Sequence, residues 1–203
     1  MAEDSTEREL TQSAPPDGIT QGESPAIPAV IAQTIQRLEA ATQGLALEPL
    51  PDRLEVSAPV DRLLEVCTVL RDDLCFGLLM SITAVDHKSS FELVYHLFRL
   101  DSPYPVVIRC SLPHEDSPTA PSLVPLWPGA DFQEREIFDL MGIVFAGHPN
   151  MRRILLDDDF PGHPLRKDFQ VDPDYPLVRH LRLPGYPGPQ PGAASTGRFA
   201  NDE

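Results

Sequence analysis

The chain has 203 residues, 41% of them apolar, with 31 acidic and 16 basic side chains giving a formal net charge of −15. That length implies one domain with appendages and is enough to bury a core. The acidity repels phosphate backbones and anionic lipid, so nucleic-acid binding and direct membrane insertion are disfavoured, and it also serves solubility. The 23 prolines gather near both ends and around 103–128, which points to extended segments rather than a helical bundle.

Cys67, Cys75 and Cys110 are scattered without a C-x-x-C pair. Iron–sulfur and zinc–thiolate sites need several thiolates close together, so neither is supported. An odd count without a secretory pattern suggests a reducing compartment and buried thiols acting as small apolar residues. No apolar run approaches the roughly 20 residues of a membrane span. The opening MAEDSTERELTQ is acidic and unlike a signal or transit peptide, so a cytosolic location is expected.

In chain order, residues 1–24 are polar and acidic without an apolar period and read as a disordered arm. A first helix is expected from Pro25 to Gln43, capped by Ser24 and closed by Gly44, with Ile27, Ile31, Ile35 and Leu38 on one face. Two short strands follow, Leu45–Leu50 and Leu54–Ser57, turned at Pro51-Asp52. A second helix, Pro59–Leu74, carries the stripe Val60, Leu63, Leu64, Cys67, Leu70 and Leu74. Three longer strands are expected at Phe76–Val85, Phe91–Leu100 and Val106–Leu112, the first two joined by a hairpin turn over 86–90. Residues 113–130 read as a proline-broken loop in which Trp127 either caps the core or faces a partner. The fold class is therefore α+β: a mixed, mostly antiparallel sheet with helices packed on one face. This domain, residues 25–169, ends in an extended Pro/Gly-rich C-terminal arm, residues 170–203, which cannot form a core alone.

The densest chemistry lies at Asp131–Phe169, DFQEREIFDLMGIVFAGHPNMRRILLDDDFPGHPLRKDF. Asp131 and Glu134 have the spacing of a capping box, opening a helix that Gly142 closes. Ile137, Leu140, Met141 and Val144 take the core spacing, leaving Glu134, Arg135, Glu136 and Asp139 to coat the solvent side. Glu136 and Asp139 are close enough for paired-acid chemistry, yet no nucleophile or phosphate loop accompanies them. His148 and His163 sit in two Gly-His-Pro turns, each followed by bases. Joined to Asp157, Asp158 or Asp159 they make an arithmetically possible metal set, though without a close ligand pair. Charge-assisted bonds from Arg152, Arg153 and Arg166 to carboxylates, within the domain or on a partner, are the better reading.

The run EREIFDLMGIVFAGHPNMRRIL followed by DDDFPGHPLRKDF closely resembles the 30-kDa subunit family of respiratory complex I. The residues that carry the resemblance are Glu134, Arg135, Glu136, Asp139, Leu140, Met141, His148, Arg152, Ile154 and Leu155, then Gly162 through Asp168. Phe132 and Phe160 stand where relatives commonly carry tryptophan. The resemblance implies a non-catalytic assembly subunit in the peripheral arm of a proton-pumping NADH–quinone oxidoreductase, on the cytoplasmic face of the bacterial plasma membrane. It implies no cofactor and no metal in this chain, with FMN and iron–sulfur clusters carried by partner subunits. The chief partner implied is the large quinone-site subunit. Glu134, Arg135, Glu136, Asp139 and Gly142 would then fix the helix, and His148, Arg152, Arg153, His163, Arg166, Lys167 and Asp168 the loop and its interface. The same module occurs in membrane-bound hydrogenases and ferredoxin-linked quinone reductases; a freestanding metal-dependent hydrolase is the alternative from another class.

Overall fold

A computed structural model describes residues 29–42 and 44–170. The N-terminal arm, Ser24, Pro25 and Gln43 of the expected first helix, and the arm beyond Gln170 lie outside the described residues. The chain runs α1 (Ala29–Ala41), β1 (Ala46–Pro49), β2 (Leu54–Ser57), a 3-10 turn (Val60–Arg62), α2 (Leu63–Asp72) and β3 (Leu78–Asp86). It continues through β4 (Ser90–Phe98), β5 (Val106–Pro113), β6 (Thr119–Pro121), α3 (Ala130–Met141) and β7 (Val144–Ala146). The main sheet has the order β1-β2-β5-β4-β3 and is antiparallel except where β2 lies parallel to β5. The expected α+β class and mixed, mostly antiparallel sheet are both found.

Alternation along the strands selects the core face. Leu54 and Val56 of β2, Val106, Ile108, Cys110 and Leu112 of β5, and Phe91, Leu93, Tyr95 and Leu97 of β4 form one buried cluster. Ile31 and Leu38 of α1, Val66 and Cys67 of α2, and Ile137 and Met141 of α3 join that cluster, so the helices share one sheet face. On the opposite face Arg109 and Arg53 grip Glu55 at 3.1 and 2.8 Å. Those two guanidinium groups hold the Glu55 carboxyl below its usual range.

A bulge re-aims β3. The register shifts between Leu79 and Ser81, so Leu79 and Ile82 both reach the core while Met80 is left 55% exposed. The shift also brings Asp86, paired with Phe91, to a buried position at the strand's end.

Several side chains depart from expectation. In α2, Val66 is buried and Leu64 faces solvent, because the helix proper starts at Leu63 after the tighter 3-10 turn. Cys67 and Cys110 are core residues, and burial pushes the Cys110 thiol up to about 12. Cys75 is exposed instead, at a φ of 61° in the turn that leaves α2. Trp127 is buried, which selects its core role over the partner-facing one. Within the expected 113–130 loop, β6 pairs parallel with β7; strands of three residues are too short to show a period.

Candidate functional site

The start of α3 overturns the capping box. Gly129 precedes the helix with no side-chain cap, and Glu134 points inward rather than back to Asp131. Its carboxylate accepts 2.6 Å bonds from the Ser122 hydroxyl and the Leu123 amide. Glu134 shares a helix face with Ile137 and Met141, three and seven positions on, and buried donors in the 122–123 turn need an acceptor there. Burial raises the Glu134 pKa, against the lowering effect of the Ser122 and Leu123 bonds.

A raised carboxyl stabilises most below its unfolded value of about 4.3 and loses that contribution as pH rises through the folded value. Glutamine can accept from Leu123 and donate to Ser122, without a charge to desolvate. Glu134→Gln is therefore expected to gain stability relative to the parent from pH 4 to 8, while Glu134→Ala loses about 2–3 kcal/mol by orphaning both donors. Denaturant melts across that range decide it; parallel pH profiles for Glu134→Gln and the parent would refute it.

Asp139 is the centre of the arrangement. Its side chain has 0% exposure, its Oδ1 accepts from Arg153 at 2.9 Å, and its Oδ2 accepts from the amides of Ile154, Leu155 and Leu156 at 3.0, 2.7 and 2.9 Å. Burial pushes its pKa up, but the three amides and Arg153 outweigh that and hold it below the usual range. The Glu136–Asp139 acid pair does not exist as a site, because Glu136 is exposed while Asp139 is turned inward. Of the four charges expected on the solvent side, Glu134, Arg135 and Asp139 are buried.

The second Gly-His-Pro turn finishes the helix. An α-helix leaves its last four carbonyls without internal partners. Here Phe138 O accepts from Gly142 N at 2.9 Å, and Asp139 O from His163 Nδ1 at 2.9 Å. Leu140 O accepts from Leu165 N at 3.0 Å, and Met141 O from Arg166 Nε at 2.6 Å. Gly142 closes the helix as expected, at φ 72°. The cations also lie at the negative end of the helix dipole. Since a carbonyl only accepts, His163 carries its proton on Nδ1; burial and the neighbouring Arg166 and Arg153 lower its pKa.

The first turn is tied in the same way. Arg135 donates to the carbonyls of Arg152 and Arg153, both at 3.1 Å. His148 Nδ1 accepts from Asn150 N, so its Nε2 donates to Asp131 O at 3.3 Å. Arg153 also reaches Phe160 O and Gly162 O at 3.2 and 3.1 Å, linking the two turns. Arg166 extends to the carbonyls of Glu115 and Asp116, and its guanidinium lies 5.2 Å from the Phe91 ring centre. Glu136, Arg152, Lys167 and Asp168 are exposed.

His148, His163 and the 157–159 acids are not brought into one ligand cluster among the described residues. Sequence reasoning missed Asp86, whose Oδ2 accepts from Lys167 N at 2.8 Å, and Gln133, which accepts from Ile82 N on the outer edge of β3 at 2.6 Å. For Asp86 the available signal is an Asx-type turn, since its Oδ1 takes Lys88 N at 2.6 Å with Lys88 at φ 68°. Surface grooves lined by Cys75, Leu78 and Leu100, and by Gln33, Arg37 and Asp73, include no motif residue. The chemistry of the motif is thus hydrogen bonding and ion pairing that clasp two loops around one helix.

The family model described as respiratory-chain NADH dehydrogenase, 30 Kd subunit, matches residues 56–175. An NADH-quinone oxidoreductase subunit of Moorella thermoacetica is 41% identical over 139 residues, spanning 68% of this chain and 93% of that protein. Its counterpart in Roseiflexus sp. is 40% identical over 144 residues, spanning 68% and 82%. Among solved structures, a trypsin-resistant fragment of Nqo5 superposes with a TM-score of 0.51 at 29% identity, over 60% of this chain and 98% of the fragment. A chain of the membrane-bound sulfane sulfur reductase, an archaeal respiratory membrane complex, gives a TM-score of 0.60 at 28% identity, over 69% and 85%. On these matches the chain belongs to the 30-kDa subunit family of the respiratory-chain NADH dehydrogenase.

Proposed function

We propose that this chain is the non-catalytic assembly subunit of the peripheral arm of a proton-translocating NADH:quinone oxidoreductase. It holds the quinone-reducing module in shape beside the large subunit that helps form the quinone pocket. One observation supports this above the rest: the buried Glu134, Arg135 and Asp139 and the half-buried Arg153 all bind this chain's own loops. NADH oxidation, FMN and the iron–sulfur clusters then belong to partner subunits, and the assembly lies on the cytoplasmic face of the plasma membrane. No helix among the described residues is long and apolar enough to cross a membrane, which suits a peripheral position.

Exposed Phe132, Leu155 and Leu165 around α3 offer the apolar surface such a neighbour would cover. Arg152 is also exposed and makes no side-chain hydrogen bond among the described residues. Arg152→Ala should therefore keep the fold within about 0.5 kcal/mol and lower the yield of assembled complex several-fold. Arg166→Ala, which strips the helix cap, should lower both. Thermal melts of the chain set against complex recovered from membranes separate the two, and full assembly of Arg152→Ala would sink its interface role.

Purification of the tagged protein with its partners tests the whole reading. Recovery with flavin- and iron–sulfur-bearing subunits that oxidise NADH supports it. The archaeal sulfane sulfur reductase likeness favours one second reading, the equivalent subunit of a related membrane complex with another electron donor. Partners that lack NADH oxidation would select that reading, and a lone monomer would overturn both.

A further inference from the structure

Asp86 at the end of β3, His114 just beyond β5 and Asp168 at the end of the second turn offer ligand atoms that all lie within 4.8 Å of one another. Asp86 and His114 are well enclosed, their side chains 2% and 17% exposed. His114 Nε2 is buried and faces Asp86 Oδ1 at 3.5 Å, within ion-pair range but without a well-formed hydrogen bond. The ring plane is held by stacking on Phe91, with centroids 4.5 Å apart and planes 13° apart. A buried ring nitrogen that faces a carboxylate without a well-formed hydrogen bond needs an explanation.

Asp86 is oriented from behind. Its two oxygens accept the amides of Lys88 and Lys167, and each oxygen retains a lone pair. Hydrogen bonds of this kind commonly fix ligating carboxylates. Asp168 is exposed, so it can swing to close the set while leaving a position for water.

We infer that Asp86, His114 and Asp168 form a structural site for a divalent cation of the Zn2+ or Mn2+ type. One imidazole with two carboxylates suits such ions and is a poor match for Ca2+ or Mg2+, which take oxygen ligands alone. The ion would join the ends of β3 and β5 to the stretch that follows Arg166, beside the cap of α3. It would do no chemistry.

The metal-free full-length chain is titrated with ZnCl2 and with MnCl2 separately, by calorimetry and by thermal melting. Expected are one bound equivalent of at least one of these ions and, near saturation, a rise in Tm of roughly 5 °C. Asp168→Asn, at an exposed position, should fold as the parent does and lose at least tenfold in affinity. His114→Phe keeps a ring on Phe91 and should abolish the bound equivalent. Absence of binding by both ions overturns the site, as does unchanged affinity in Asp168→Asn, which would place the ion elsewhere.

Discussion

Asp139→Ala is expected to cost about 3–5 kcal/mol, the range for breaking a buried charge pair from one side. The mutation leaves Arg153 without its carboxylate and the amides of Ile154, Leu155 and Leu156 without an acceptor. Against a total stability of about 5–15 kcal/mol for an ordinary domain, that is enough to thin the folded population markedly. Asp139→Asn should be milder, since one amide oxygen still accepts. The comparison also carries a pH dependence. A carboxyl whose folded value is depressed contributes its stability above the unfolded value of about 3.9 and loses it as pH falls through the folded value. The parent's advantage over Asp139→Asn should therefore be full above about pH 4 and shrink below it. Urea melts measure both effects; a loss under about 1 kcal/mol in Asp139→Ala would show that the loop finds other acceptors.

Gly142→Ala should be nearly as damaging, for a steric reason. A Cβ at this position would lie 2.5 Å from His163 Cδ2 and 2.6 Å from Arg166 Nη2, on a backbone at φ +72°. Neither neighbour retreats freely, because His163 is bonded to Asp139 O and Arg166 to the carbonyls of Met141, Glu115 and Asp116. Left-handed strain of about 1–2 kcal/mol and overpacking of about 1–3 kcal/mol together predict a loss of about 2–5 kcal/mol. Gly147→Ala is the control: its φ is +85°, but nothing lies within 4 Å of its Cβ, so it carries the backbone strain alone. Limited proteolysis should cut the Gly142 variant within 156–166 first. Equal losses in the two variants would show that contact with His163 and Arg166 adds nothing.

What could be read beforehand follows the range of the interactions. The end of α3 was legible because Gly142 is a local signal for a left-handed cap. The strand β5 was legible from alternation, and β2 from the Pro51-Asp52 turn before it, with Leu54–Ser57 found as expected. The family resemblance was legible too, since its residues are contiguous in sequence. The direction of Glu134 and Asp139 was not. Charged residues on a helix ordinarily face water, and what draws these inward is the unmet bonding of the Ser122 hydroxyl, the Leu123 amide and the amides of 154–156, which no periodicity encodes. The bulge at Met80 and the burial of Asp86 were hidden for a related reason. A single inserted residue changes which side chains face the core, and only the paired strand shows it.

The helix cap built from Leu165, His163 and Arg166 has a bearing on how such a module is reused. A recognition sequence that serves a partner must change when the partner changes. One that serves its own backbone need not. Likeness to NADH-quinone oxidoreductase subunits on one side and to an archaeal sulfane sulfur reductase on the other is what a self-contained fitting of that sort permits.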